Sequence, residues 1–195
     1  MALKTQHKIR SSASTRDAIL ETAAELFSTK GFAGTSMSDL AEHLGLSKAA
    51  IYHHFESKES IFQTLLESTN EGLENLVSEH KKLPTDQSET RKILKQFAEF
   101  LFCHRSVVRL ALSEMQAEVK AQGPQGHQCM LRLQQLLAGK RPTAESKMRA
   151  KIAMGIVFVG ILPPMHETTS KEENLNLELL VEIASNALGI SQTKK

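Results

Sequence analysis

Hydrophobic positions along this chain recur almost everywhere with helical period. Ile19, Ala23, Leu26 and Phe27 share one face of a segment that Ser14 or Thr15 can cap and that Lys30 and Gly31 can close. Thr35 and Ser36 offer capping oxygens to a short second helix with Met37, Leu40, Ala41 and Leu44 on one face and Gly45 at its end. Ser47 can cap a third helix, and a fourth starts after Ser57. Beyond it, Pro84, the Gly123-Pro124-x-Gly126 stretch, Gly139, Pro142 and Pro163-Pro164 divide the chain into helical stretches at about 58–81, 88–121, 125–139, 143–162 and 173–188. No useful length alternates with period two, so the pattern predicts an all-α protein.

The stretch LAEHLGLSKAAIYHHF, from Leu40 to Phe55, meets the demands of two helices crossing at a tight turn. Such a crossing needs a small side chain where the helices touch, a glycine where the backbone turns, and aliphatic residues around them. Ala41, Gly45 and the set Leu40, Leu44, Leu46 and Ile51 supply these, and a helix-turn-helix is the expected result. If Ile51 points inward, the advance of 100 degrees per residue sends Ala49 and His53 outward, leaves Ala50 and Tyr52 on the flanks and returns Phe55 to the core. The outward face is then two methyls, a phenol and an imidazole, with no acid. Ala49 and Ala50 would let a helix backbone approach base edges in a major groove, while Tyr52 and His53 could donate to phosphates on its rim. Ser47, Lys48 and the free amides of the helix start would meet the phosphate backbone at the positive end of the helix dipole. Lys58, Thr35 and Ser36, each at a neighbouring helix start, are further candidates for phosphate contact. Each also has a plainer explanation: the serines as caps, the lysines as solvated charges, Tyr52 as packing. Their convergence on one surface favours the nucleic-acid reading.

Composition changes the picture little. The chain has 195 residues, 41% of them hydrophobic, and a net charge of only +2. A DNA-packaging protein that binds without regard to ligand or sequence would be far more basic. Lys4, Lys8, Arg10 and Arg16 all precede the first acid, Asp17, and make a short basic arm that suits a polyanion or merely solubilises the terminus. Two cysteines, Cys103 and Cys129, are too few for a disulfide framework and fit a reducing cytoplasm. No apolar segment follows the basic residues of the terminus as in a secretory signal. The longest apolar run, Ile152 to Leu162, falls short of the ~20 residues needed to cross a bilayer. A metal centre would have to recruit Cys103, His104, His127, Cys129 or His166, of which only His127-x-Cys129 is closely spaced, so neither metal nor cofactor is expected. A small helical enzyme using one of the eight histidines lacks an accompanying activated nucleophile, phosphate loop or paired carboxylates.

From Arg16 through Phe62 the text resembles the amino-terminal DNA-binding domain of TetR-family bacterial transcriptional regulators. The matching elements are Ala-x-x-Leu-Phe-x-x-x-Gly-Phe at 23–32 in and after the first helix, Thr-Ser-Met-x-x-Leu-Ala at 35–41, and Tyr-x-x-Phe-x-x-Lys-Glu at 52–59. Where many members place Gly or Thr in the recognition helix, this chain has Ala49 and Ala50, which shifts weight to Lys48 and the basic arm. The resemblance implies about nine helices: an arm and helix-turn-helix domain over 1–57, then a helical effector-binding and dimerisation domain over 58–195, entered through a connecting helix at 58–81. It also implies a cytoplasmic homodimer, a repressor in the first instance, that binds a palindromic operator in double-stranded DNA and is released by a small molecule. Dimerisation would use the last two helices, where Ala150, Ala153, Met154, Val157, Gly160 and Ile161, and Leu175, Leu177, Leu179, Leu180, Ile183, Ala184 and Leu188, form stripes that suit either their own core or a partner. Phe97, Phe100, Leu101, Met115, Met130, Leu133, Met154 and Phe158 are candidates to line a largely apolar effector pocket, with His104 beside them.

Overall fold

The computed structural model describes residues 12–114, 124–161 and 170–190. Among them nine helices and no strand occur: α1 (Ser12–Lys30), α2 (Met37–Leu44), α3 (Lys48–His54), α4 (Lys58–Glu79), α5 (Gln87–Cys103), α6 (Arg105–Glu114), α7 (Pro124–Ala138), α8 (Ala144–Ile161) and α9 (Ser170–Leu188). They form two compact units, Met1–Leu65 and Leu66–Lys195. The division falls inside α4 rather than ahead of it at residue 57, because Ile61 and Phe62 are buried with the first unit.

In the amino-terminal unit, Ile19, Ala23, Leu26 and Phe27 of α1 are buried, as their spacing requires, against Met37, Leu40, Ala41, Ile51 and Phe55. The helix starts at Ser12, ahead of the expected caps Ser14 and Thr15, and stops at Gly31, whose φ of +78° suits a residue without Cβ. Phe32 then stacks between Phe27 and Phe62, with ring centroids 5.0 and 5.5 Å away, and ties the exit of α1 to the start of α4. α2 has a complete capping box: Asp39 N–H donates to Ser36 Oγ at 3.2 Å, and Ser36 N–H donates to the Asp39 carboxylate at 2.8 Å.

The carboxy-terminal unit buries Phe97, Leu94 and Ala98 of α5 with Leu133 and Leu136 of α7, Ala153 and Val157 of α8, and Ala184 of α9. The predicted single helix over 88–121 is two, and no glycine or proline marks the break. His104 leaves helical geometry (φ −103°, ψ 12°) between α5 and α6. There the Arg105 guanidinium takes the Phe102 carbonyl at 2.8 Å and lies over the Phe102 ring, satisfying an acceptor that helix continuation would otherwise have used. Residues 115–121 of that stretch lie outside the described residues. Helix α8 carries apolar residues all round. Ala150, Ala153, Met154, Val157 and Ile161 face the core, while Met148, Ile152 and Val159 are exposed.

Ala41, 6% exposed, is the small residue at the α2–α3 crossing. Replacing it by leucine forces bulk into a filled core, and Ala41→Leu is expected to lower stability by ~1 to 3 kcal/mol in a denaturant melt; an unchanged midpoint would contradict this packing.

Candidate nucleic-acid interface and ligand cavity

A turn of three residues presents α3. Gly45 ends α2 in the left-handed region (φ +63°), its N–H donating to Glu42 O, while Leu46 N–H reaches back to Ala41 O at 2.9 Å. Ser47 follows in extended conformation, and its Oγ accepts from Ala50 N–H at 3.1 Å, so α3 starts in a new direction with its first turn capped. Ile51 is fully buried and Phe55, which ends the helix, is 4% exposed. The opposite side is open: Lys48, Ala49, Tyr52 and His53 are exposed and Ala50 is half-buried. Lys48 Nζ lies 5.9 Å from the centre of the Tyr52 ring one turn on, and the His53 and His54 rings meet edge to face at 5.4 Å. Arg16, the one residue of the basic arm within the described part, stacks over Phe55 at 4.8 Å. The face of α3 carries no acid. At the start of α2, the Asp39 carboxyl is held at about 2 by the Ser36 hydroxyl and then the Ser36 N–H, and it pairs with Lys30 at 3.4 Å.

Two candidates for phosphate contact are placed differently from expectation. Thr35 is 2% exposed, and its Oγ1 sits 2.8 Å from Gly31 O and 3.3 Å from Leu26 O, so its hydroxyl cannot face a duplex. Lys58 turns inward. Its Nζ donates to Phe32 O at 2.8 Å and to Thr35 O at 3.2 Å, and lies over the Phe32 ring at 4.6 Å. The Phe32 carbonyl, which also accepts from Thr35 N–H at 3.3 Å, and the Thr35 carbonyl both lie within reach of the lysine at the start of α4. Ser36, exposed and in its capping box, keeps the position expected of it.

In the second unit a cavity of about 90 Å³ opens among α4, α5, α6, α7 and α8. Five of the candidates line it: Phe97, Phe100, Leu101, Met130 and Phe158. Met154 and Leu133 do not; they are buried in the core between helices. Nor does His104, which lies behind Phe100 with ring centroids 4.6 Å apart, its imidazole pushed below the usual histidine range by burial. Met115 lies outside the described residues. The pattern missed Leu66, Thr69, Asn70 and Leu73 of α4, Val107, Val108 and Ala111 of α6, and Gly126 of α7. One signal was available: Thr69 interrupts the inward series Leu66, Leu73, Leu76 and Val77 with a hydroxyl. Among the described residues no group of three His, Cys, Asp or Glu side chains could hold a metal, and no helix is long and apolar enough to cross a membrane.

Residues 19–65 match the sequence profile of the bacterial regulatory proteins, tetR family. The chain is 31% identical, over 45% of its own length and 44% of the relative's, to the biofilm operon icaADBC HTH-type negative transcriptional regulator IcaR of Staphylococcus aureus. It is 35% identical over 96 residues to the HTH-type transcriptional regulator AcrR of Shigella flexneri, covering 48% of this chain and 43% of that protein. The chain thus aligns with less than half the length of these curated relatives. The crystal structure of a transcriptional regulator from Aquifex aeolicus superposes with a TM-score of 0.68 at 25% identity, over 90% of this chain and 98% of the other. The amino-terminal unit thus matches the tetR family of bacterial regulatory proteins, and the chain shares the all-helical fold of the Aquifex aeolicus regulator.

Because Lys58 braces the domain, Lys58→Ala should lower stability by about 1.5 to 3 kcal/mol, the range for hydrogen bonds to a charged group. The salt dependence of DNA affinity should not change. A lowered salt slope with unaltered melting would return Lys58 to the phosphate contacts.

Proposed function

We propose that the protein is a DNA-binding transcriptional regulator, a repressor in the first instance, that binds a palindromic operator as a homodimer and is released by a small, largely apolar effector. The observation that carries it is the acid-free, exposed face of α3, held out from the core by the buried Ile51 and Phe55. Ala49 and Ala50 are the base-facing residues, their methyls short enough for close approach and suited to thymine methyls. Lys48, Tyr52, His53, Ser47 and Ser36 are the phosphate contacts, joined by the basic arm.

The dimer is supported by the outer faces of α8 and α9. Met148, Ile152 and Val159 are spaced by helical turns on α8 and are 57%, 49% and 74% exposed, and Leu179 and Ile183 of α9 are 52% and 47% exposed. The stripe of α8 read from the sequence is spent on the chain's own core, so the partner-facing side is this second stripe. A helix apolar on two sides calls for two partners.

Release follows from symmetry. Two recognition helices reach successive major grooves only at a spacing near one helical turn, ~34 to 36 Å. Helix α4 contributes Lys58, Ile61 and Phe62 to the first unit and Leu66, Thr69, Asn70 and Leu73 to the cavity of the second. An effector that favours one setting of α4 over another shifts the dimer between spacings that fit and do not fit the operator, a coupling of typically ~1 to 3 kcal/mol.

Lys48→Ala is expected to weaken binding to every duplex alike and to lower the slope of log affinity against log salt by about one unit. A change of sequence preference instead would move Lys48 to base readout. Leu179→Glu should yield monomers in analytical ultracentrifugation together with loss of operator affinity; an intact dimer would direct attention to another surface.

A further inference from the structure

The cavity wall is unusual in what it contains besides hydrocarbon. Phenylalanine, leucine, valine and methionine make most of it, and among the described residues no charged side chain lines it. Its polar side chains are Thr69 and Asn70, neighbours on α4. Thr69 is 9% exposed and already engaged in an interaction. Asn70 is different: among the described residues its carboxamide has no hydrogen-bond partner, and its Oδ1 lies against Gly126, where an added Cβ would come within 3.3 Å. The Asn70 amide is half-buried and open to water, so a molecule that displaces that water from the recess has to replace its hydrogen bonds or leave them unmade. An amide both donates and accepts, and carries no charge to compensate that of an ion.

We propose that the cavity selects a small uncharged molecule, one ring or a short branched chain, carrying a single hydroxyl or carbonyl that bonds to Asn70, and that it rejects carboxylates and amines. This rests on reading the cavity as the effector site and names the class of effector. An ion entering would leave its water for a wall whose described residues offer it no countercharge, which costs far more than one amide returns. Size is set by the same wall. The space of about 90 Å³ is smaller than the engineered 150 Å³ cavity that admits benzene, so a ring fits only when a side chain yields. Met130, with three rotatable bonds and a thioether, is the lining residue built to do so. The polar anchor sits on α4, so the bonded group acts on the helix that also serves the first unit.

The test titrates the full-length protein, labelled with 13C at methionine methyls, with phenol, toluene and benzoate, reading the Met130 methyl resonance without DNA. Phenol and toluene should shift it with saturable curves and benzoate should not. In Asn70→Leu, which keeps the shape and removes the amide, the ratio of phenol to toluene affinity should fall about threefold to tenfold, the worth of one neutral hydrogen bond. Ala111→Leu, which fills the cavity and leaves Asn70 in place, should abolish both shifts. Benzoate binding as tightly as phenol, a ratio unmoved by Asn70→Leu, or a Met130 resonance that no probe shifts would each overturn the proposal. Regulation is read separately: phenol that binds as described yet leaves operator affinity unchanged would sink the effector reading while the selectivity stands.

Discussion

A helix of seven residues has no stability of its own; isolated helices shorter than ~12 to 15 residues are marginal in water even when rich in alanine. Helix α3 exists because Ile51 and Phe55 are buried under α1 and α2 and because Ser47 closes its first turn. That dependence also orients it. A helix held by one buried residue and an aromatic four positions on has only one face left for solvent, and here that face holds Lys48, Ala49, Tyr52 and His53. The same small core therefore supplies both the stability of the unit and the direction of the surface read as its DNA contact. Gly45 and Ala41 are the points at which a larger side chain would alter both together.

Lys58 shows how a residue of interface type can be absorbed by structure. At a helix start beside a proposed DNA face, a lysine invites a phosphate role. The chain between α1 and α2, however, leaves the carbonyls of Phe32 and Thr35 without helical donors, and Lys58 bonds both while covering the Phe32 ring. The Phe32 carbonyl also accepts from Thr35 N–H at 3.3 Å, and the ammonium adds a charge-assisted donor to it and to the Thr35 carbonyl at once. Thr35 is absorbed by the same turn for the same reason, its hydroxyl bonded to Gly31 O. What remains outside is a smaller, cleaner set: Ser36, Ser47, Lys48, Ala49, Ala50, Tyr52 and His53.

The second unit divides its apolar residues three ways, among core, cavity and outer face. Helix α8 contributes to all three through Val157, Phe158 and Val159, consecutive residues separated by about 100 degrees each. Composition cannot distinguish these fates, since all three call for hydrophobic side chains. Asn70 and Thr69 are the exceptions that carry chemical information, because a polar group in an apolar recess has to be explained by what it bonds.

Local physics was legible in the chain text. Helical period set the inner faces of α1, α2 and α3, Gly45 and Ser47 marked the turn between them, and the inward place of Ile51 fixed which side of α3 is open. These depend on neighbours within one or two turns, which a sequence displays directly. The break at His104 was not legible, because a guanidinium bonding the Phe102 carbonyl, rather than a glycine or proline, accompanies it. The cavity was half legible: Phe97, Phe100, Leu101, Met130 and Phe158 were candidates by type, but Met154 and Leu133 were equally good by type and went to the core. Which apolar side chain lines a void, which lysine braces a turn and which face of α8 stays exposed depend on contacts between residues far apart in the chain, and only the tertiary structure decides them.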